Sequence, residues 1–203
     1  MILPELHIQE IIGLIPTYTL DEDTDRQSLP LTYGFGDHKT LLQELKQRRL
    51  NQSPLYPLVW FVMPFEEGHY EPEVEVDEIT LILAINTRKE WLNPQRYRET
   101  FQTYLLPNLE LIKQALLKAN NFSIFPLTQI AGRNKYFSVV KRPNYGDPEE
   151  LDKFDTSQTR NKATENKATD YWDAIQITFK GRFKETCLLP IIFNIQNLTQ
   201  WQY

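Results

Sequence analysis

The alternation of apolar and polar positions predicts most of the secondary structure of this 203-residue chain. Apolar residues recur at helical spacing over residues 4–15, where Pro4 suits the first turn and Pro16 ends the pattern. A second helix is predicted at residues 40–50, because leucines recur there on one side. Residues 16–39 carry an acidic cluster and several turn residues, so we expect an extended arm there.

Four segments have the patterns of strands. Residues 58–63 are a continuous apolar run between two prolines, which is typical of a buried strand. Residues 76–85 alternate well enough to predict a second strand, antiparallel to the first, and residues 135–141 are a shorter candidate. Residues 171–183 form the strongest prediction, with isoleucines and phenylalanines on one face and Trp172, Ala174, Gln176 and Thr178 on the other.

The stretch NTRKEWLNPQRYRETF, residues 86–101, predicts a corner between a strand and a helix. Asn93 is a suitable N-cap and Pro94 suits the first helical position, where its missing N–H costs nothing. Trp91 precedes the helix and is placed to pack back on its first turn. We expect the helix to continue beyond Phe101, with a kink or restart at Pro107.

The order of these elements predicts an α+β fold, with an antiparallel sheet of about four strands and helices packed on one face. We expect residues 1–203 to form a single domain, with a helix and arm region at residues 1–39. Residues 144–170 are polar and predict a long loop insertion. The extended C-terminal tail from Leu188 is apolar, so it is expected to pack on this domain or on a neighbouring molecule.

Charge and cysteine content narrow the classes of protein. There are 22 basic and 27 acidic residues, giving a net charge of −5, which argues against a dedicated nucleic-acid-binding protein. Cys187 is the single cysteine, so no intrachain disulfide or cysteine-based zinc site is available, and its place after an apolar strand favours a core role. No apolar run is long enough for a membrane span, and the N-terminus lacks the basic region of a signal peptide. We therefore expect a soluble protein.

Residues 66–78 contain seven carboxylates and no lysine or arginine. The simpler interpretation is a solvated hairpin connection between two strands. The alternative is a negatively charged channel wall, which would keep passing nucleic acid from adhering. The candidates for such a wall are Glu66, Glu67, Glu71 and Glu73.

The motifs of catalysis and cofactor binding are weak in this sequence. A metal-dependent nuclease would need acids and a lysine around one metal, but the acids and bases of the second strand lie at its opposite ends, about 20 Å apart at strand rise. The histidines are isolated, and there is no nucleophile elbow or glycine-rich phosphate loop. We therefore expect no catalytic residue, cofactor or metal. The residues weighed for these roles are Asp77, Glu78, Arg88, Lys89, Glu90, His7, His38 and His69.

One succession of motifs resembles a known family. It consists of the strand YPLVWF, a strand ITLILAINT, the spacing of Trp91, Arg96 and Phe101 followed by Leu105 and Pro107, and a late strand WDAIQITF. This succession resembles the tail-completion and tail-terminator proteins of tailed bacteriophages and, more loosely, the neck-ring proteins of crAss-like phages. The resemblance covers about residues 56–183. The arm, the polar insertion and the apolar tail depart from the family's compact pattern.

The resemblance implies a non-enzymatic α+β subunit of the virion, made in the host cytoplasm. Such subunits assemble as a closed ring of six or twelve copies between the portal or connector and the tail, with DNA passing through without sequence-specific binding. Alternatives are a small metal-dependent phage nuclease or a generic intracellular interaction module. Residues expected to contact other subunits or partners, or in the case of the arginines to form local ion pairs, are Arg88, Arg96, Arg98, Tyr145, Phe154, Trp201 and Tyr203.

Overall fold

The computed structural model describes residues 2–21, 26–37, 39–41, 56–88, 90–130, 132–143, 145 and 171–194. Within these ranges the helical segments are α1 (Pro4–Gly13), α2 (Asn93–Arg96), a π-helix (Tyr97–Leu105) and α3 (Leu106–Lys118), and residues 39–41 are also helical. The strands are β1 (Thr19–Asp21), β2 (Arg26–Gln27), β3 (Thr32–Gly36), β4 (Leu58–Val62), β5 (Glu67–Tyr70), β6 (Glu73–Thr87), β7 (Phe122–Phe125), β8 (Thr128–Ile130), β9 (Arg133–Lys135), β10 (Ser138–Arg142) and β11 (Tyr171–Lys184).

The long strands β6 and β11 form the centre of the main sheet. They pair antiparallel from Thr87 opposite Tyr171 to Glu73 opposite Lys184. The outer side of β6 pairs with β4 and β5, and the outer side of β11 pairs with β10 and β7. β3 extends the sheet by pairing parallel with β4. The sheet therefore has seven strands within the described ranges, and the structure confirms the predicted α+β class but not the predicted sheet of about four strands.

Two of the additional strands come from segments that the sequence predicted as irregular. β3 arises from the predicted arm at residues 16–39, which also contributes the two-stranded pair of β1 and β2. β5 and the first part of β6 arise from the acidic run at residues 66–78, which was expected to be a solvated connection. Both segments lack the apolar runs of a buried strand, so sequence periodicity alone did not indicate their pairing.

A β-bulge in β6 keeps its apolar residues on one face of the sheet. Ile79 is opposite Phe179 and Val76 is opposite Gly181, so β6 has one more residue than β11 between these pairs. The extra residue reverses the alternation, and Val74, Val76 and Ile79 therefore all join the same buried cluster. Beyond the bulge, the other face of the strand becomes charged.

The larger hydrophobic core lies between this sheet face and the helices. It includes Ile8, Ile11, Val59, Leu81, Leu83, Leu105, Ile112, Leu116, Ile175, Ile177 and Phe183. A smaller core on the opposite face is built around Leu41, Leu58, Trp60, Ile82, Tyr145, Trp172 and Ala174. The strict alternation of β11 thus divides its side chains between the two cores, as the sequence predicted.

The helix after the corner is continuous through a nine-residue π-helical segment. The backbone N–H of Leu106 donates to the carbonyl of Phe101, five residues earlier, and Pro107 has no N–H to donate. In an α-helix the carbonyl of Thr103 would accept from the N–H of residue 107, which Pro107 lacks. The hydroxyl of Tyr18 donates to that carbonyl instead, at 3.3 Å. Burial raises the pKa of Tyr18, so its phenol stays protonated and able to donate.

The described part of the C-terminal tail packs on its own domain. Leu188, Ile191 and Phe193 are partly buried against the larger core. The backbone N–H of Asn194 donates to the side-chain oxygen of Gln114 at 2.8 Å. Cys187 is exposed, so the expected core role for this residue is wrong.

Several sequence predictions lie outside the described residues. Only residues 40 and 41 of the predicted helix at 40–50 are described, and they are helical, as is residue 39. Only Tyr145 is described between residues 143 and 171, so the predicted polar loop is untested. Among the helices described above, none combines the length and the apolar character required to cross a membrane.

We expect substitution of Gly181 by alanine to destabilise the fold. A Cβ atom at Gly181 would lie 2.1 Å from Cζ of Phe122, a ring that is itself packed against Phe179 and Phe183. Because this ring has no room to move, Gly181→Ala should cost about 1–3 kcal/mol in the free energy of unfolding by urea. Gly13→Ala is the matched control, since nothing lies within 4 Å of its added Cβ. Equal stability of the two variants would contradict this account of the β7–β11 contact.

Candidate interaction surface

The strand-to-helix corner is held by a buried ion pair. Arg96 is 3% exposed and Asp173 is fully buried, and Nη1 of Arg96 lies 3.1 Å from Oδ1 of Asp173. The other carboxylate oxygen of Asp173 accepts a hydrogen bond from the hydroxyl of Thr100 at 2.7 Å. The pair therefore joins the first turns of the helix to β11, far apart in the sequence.

The remaining donors of Arg96 bind the chain that forms the corner. Its Nε donates to the carbonyl of Trp91 and its Nη2 to the carbonyl of Arg88, both at 2.8 Å. Nη1 also lies 3.4 Å from the hydroxyl of Thr87 at the end of β6. A buried guanidinium requires hydrogen-bond acceptors of this kind, because an unpaired buried charge is strongly unfavourable. Arg96 is thus a structural residue of the corner.

The three arginines predicted as contact residues have different environments. Arg88 is exposed, with its guanidinium carbon 5.4 Å from the centroid of the Trp91 ring. Arg98 is exposed and forms a local ion pair with Glu99 at 3.3 Å. Arg96 is enclosed by its own chain, which corrects its assignment to a subunit contact and fits the local-ion-pair interpretation instead.

The aromatic residues predicted as contacts are only partly described. Tyr145 is 3% exposed and stacks on Trp172, with ring centroids 6.4 Å apart. Burial raises the pKa of its phenol to about 12. This packing corrects the expectation that Tyr145 lies at a contact surface, since the ring belongs to the smaller core. Phe154, Trp201 and Tyr203 lie outside the described residues.

The four acidic residues predicted as a channel wall have two kinds of environment. Glu66 and Glu71 are exposed. Glu67 in β5 lies 3.0 Å from Nε2 of His69, and Glu73 in β6 lies 3.0 Å from Nη1 of Arg182. The pairing reduces the field that Glu73 can present to a passing polyanion.

Between the bulge and the Glu73 end of β6, the strands β6 and β11 carry a ladder of ion pairs across the sheet. Lys180 contacts Glu75 at 2.8 Å and also contacts Asp77, and Arg182 contacts Glu75 at 2.8 Å. The side-chain hydrogen bond from Lys180, followed by that from Arg182, holds the pKa of Glu75 below its ordinary value. The hydrogen bond to Asp77 is the first cause that raises the pKa of Lys180. The ladder is therefore charged and mutually neutralised near neutral pH.

The basic members of this ladder were not singled out from the sequence. A signal was present, because Lys180, Arg182 and Lys184 alternate with the apolar positions of the last strand. Their pairing with the acidic run required the antiparallel register of β6 and β11, which the sequence did not supply. Within the described ranges, no group of three or more His, Cys, Asp or Glu side chains is placed to hold a metal ion.

A groove of about 550 Å³ opens on the sheet face that carries the smaller core, opposite α1 and α3. Its lining mixes polar and apolar side chains and includes the carboxylates of Glu66, Asp77 and Glu78. Glu66 and Glu78 are exposed and make no ion pair within the described chain, whereas Asp77 is neutralised by Lys180. The remaining lining residues are Val62, Pro64, Phe65, Thr80, Ile82, Tyr145 and Gln176.

β3 forms one open edge of the sheet. The N–H of Thr32 donates to the carbonyl of Pro57, and the carbonyl of Gly36 accepts from the N–H of Met63, both at 2.9 Å. Even-numbered residues therefore bond to β4, and the backbone groups of Tyr33 and Phe35 point away from it. No described strand pairs with β3 on that side. Within the described residues, this edge therefore presents the backbone groups of Tyr33 and Phe35 without a strand partner.

β10 forms the other edge and is preceded by a basic hairpin. Val139 and Val140 are 37% and 43% exposed, and β10 pairs with β11 alone among the described strands. The hairpin formed by β8 and β9 carries the exposed Arg133 and Lys135. Nζ of Lys135 lies 3.2 Å from the hydroxyl of Ser138, and neither base has an acidic partner in the described part of the chain.

We expect loss of the Asp173 charge to destabilise the protein strongly. Asp173→Asn preserves shape but leaves the buried guanidinium of Arg96 without its counter-charge. Breaking a buried pair in this way typically costs about 3–5 kcal/mol in the free energy of unfolding. Glu99→Gln is the control, because its exposed pair with Arg98 should contribute no more than about 1 kcal/mol. Similar urea-unfolding curves for both variants would refute the structural role of the corner.

We expect the ladder to lose stability in acid. Because the folded-state pKa of Glu75 is lowered, its contribution is complete above the ordinary carboxyl pKa of about 4.3 and is lost as pH falls through the lowered value. The fall in unfolding free energy between about pH 7 and about pH 3 should therefore be smaller in Glu75→Gln than in the wild type. Glu71→Gln, at an exposed residue outside the ladder, should retain the wild-type slope. An unchanged slope in Glu75→Gln would disprove the contribution of this carboxylate.

Comparisons of the chain with protein-family models, with curated proteins and with solved structures gave no match.

Proposed function

We propose that this chain is a structural subunit of a tailed-bacteriophage virion, which forms a closed homo-oligomeric ring at the head-to-tail junction. The observation that carries the proposal is the presence of two unlike edges, β3 and β10, at opposite ends of one sheet, each without a further partner among the described strands. A ring requires heterologous contacts, in which one patch of each subunit binds a different patch of the next. Two edges of this kind provide such a pair of patches.

The two edges have the relative direction that favours pairing. β3 runs parallel to β4, while β4, β6, β11 and β10 alternate in direction across the sheet. β10 therefore runs opposite to β3, and a β10 edge placed beside the β3 edge of another copy forms an antiparallel pair. Antiparallel pairs are the more stable and the more common arrangement.

The composition of β3 also favours a protein contact. Proteins that remain monomeric protect sheet edges with charges, prolines or bulges. β3 has the sequence TYGFG, without any charged residue or proline, and Phe35 is 41% exposed. An uncharged open edge of this kind is suited to accept a strand from a second copy.

The position in a phage neck rests on the resemblance of the sequence motifs. The structure gives those motifs an architectural role, because Trp91 and Arg96 belong to the corner and Phe101 begins the buried side of the helix. In this proposal the ring has six or twelve copies, binds the portal or connector on one side and the tail on the other, and surrounds DNA without reading its sequence. Exposed Glu71 and the net charge of −5 suit a surface that does not retain DNA.

The proposal is tested first with the purified protein and with virions. We expect sedimentation and electron microscopy to show a closed ring, and an antibody against the chain to label the head-to-tail junction of tailed particles. A protein that stays monomeric and is absent from particles would refute the proposal. Metal-dependent DNA cleavage lost in Asp77→Ala would instead favour the nuclease, and a specific complex with an unrelated intracellular protein would favour the interaction module.

A substitution at the β3 edge should prevent ring formation without unfolding the subunit. The N–H of Phe35 points away from β4, so Phe35→Pro removes a donor from the open edge and no hydrogen bond from within the sheet. Rings should be lost in sedimentation, while circular dichroism stays that of the wild type. Phe35→Val is the control that keeps the N–H, and Phe35→Lys is a second edge variant with a normal backbone. Rings formed by both Phe35→Pro and Phe35→Lys would exclude β3 from the contact.

A further inference from the structure

We propose that the basic hairpin of one copy, β8 and β9, binds the acidic groove of the next, so that Lys135 and Arg133 contact Glu66 and Glu78. This inference rests on the proposed ring and specifies the second contact between its subunits. The occupant of the groove is thus another copy of the same chain. The contact adds to the pairing of β10 with β3.

The first argument is that both features lie at the same level of the sheet. Gly36, the last residue of β3, is opposite Val62 of β4, and Ser138, the first of β10, is opposite Thr178. Thr178 is opposite Thr80, which adjoins Val62, so these five residues form one row across the sheet. A β10 edge docked on β3 in this row places the chain before Ser138 two strands away from the chain after Val62, at the same level of the sheet.

The second argument is direction along the strands. β4 runs from Leu58, opposite Ala84, toward Thr80, so the segment that ends at Glu66 continues toward the bulge. Phe137 contacts Phe179, with ring centroids 5.9 Å apart, so the chain before Ser138 continues toward the bulge as well. The hairpin and Glu66 therefore extend beyond the row on the same side.

The third argument is the face of the sheet. The groove is lined by Thr80, Ile82 and Gln176, which point away from the helices. Ser138 is opposite Thr178 and shares that face, because cross-strand partners in an antiparallel pair point to the same side. Nζ of Lys135 lies 3.2 Å from the Ser138 hydroxyl, so the ammonium is on the face where the groove opens.

The fourth argument is charge and reach. Glu66 and Glu78 at the groove and Arg133 and Lys135 on the hairpin are exposed charges that lack an ion pair within the described chain. With β10 docked on β3, Ser138 of one copy and β4 of the next are two strand spacings apart, about 10 Å. Extended lysine and glutamate side chains cover this distance together. Complementary charges placed in this way both steer and orient association.

A charge-reversal experiment tests this contact in the full chain. The concentration at which half of the protein is assembled is measured by sedimentation velocity for Glu66→Lys, Lys135→Glu and the double variant. Each single reversal should raise that concentration by about tenfold or more, because it places like charges together. The double variant should return it to within about threefold of wild type, because residue 66 of one copy meets residue 135 of the next. Raised salt should reduce both effects.

The controls separate this inference from the proposed ring. Glu10→Lys reverses an exposed acid on α1, away from the groove, and should assemble as the wild type does. Circular dichroism and urea unfolding establish that each variant is folded. Normal assembly of both single reversals, or a double variant no better than either single one, would overturn the hairpin contact while leaving the ring intact. A wild-type chain that never assembles would overturn both.

Discussion

The antiparallel pairing of β6 with β11 is the constraint on which the rest of this structure depends. Every other strand of the main sheet pairs directly with one of these two, except β3, which pairs with β4. The bulge in β6 divides the pair into a part toward Thr87, whose two faces contribute to the two cores, and a part toward Glu73 that is apolar on one face and charged on the other. One extra residue therefore decides where the sheet has two cores and where it has an ion-pair ladder.

The buried ion pair of Arg96 and Asp173 joins the helix to the paired strands β6 and β11. A buried ion pair is not a strong source of stability, because the desolvation of both charges offsets much of their attraction. Its directional hydrogen bonds do fix geometry, since Arg96 binds two corner carbonyls while Asp173 binds Thr100. The pair thus sets where the helix leaves the sheet, and the apolar side of the helix then packs against that face.

The sequence predicted the elements whose pattern is local and strong. The strand at residues 58–63, the alternation from residue 171 and the start of a helix near Pro94 were recognisable, because periodicity and the position of a proline act within a few residues. The expected N-cap at Asn93 is wrong, since Leu92 is the N-cap and makes no side-chain capping bond. β5 was missed because it is short and lies in a run of carboxylates without an apolar pattern, although it forms a hairpin with the adjoining β6. β3 was missed because it is short and gains its pairing from β4, which is distant in the sequence. The arginines of the corner were ambiguous for the same reason: only the fold brings Asp173 to Arg96 and leaves Arg98 in solvent.

The two proposed contacts answer different geometrical requirements of a ring. Pairing of β10 with β3 joins subunits through backbone groups, but strand pairing alone permits a range of twist between neighbours. A heterologous contact whose angle does not close produces an open filament instead of a ring. A second contact away from the strand axis, from Lys135 to the groove at Glu66, restricts that rotation. The edge then supplies most of the binding, and the charged contact supplies the angle at which the ring closes.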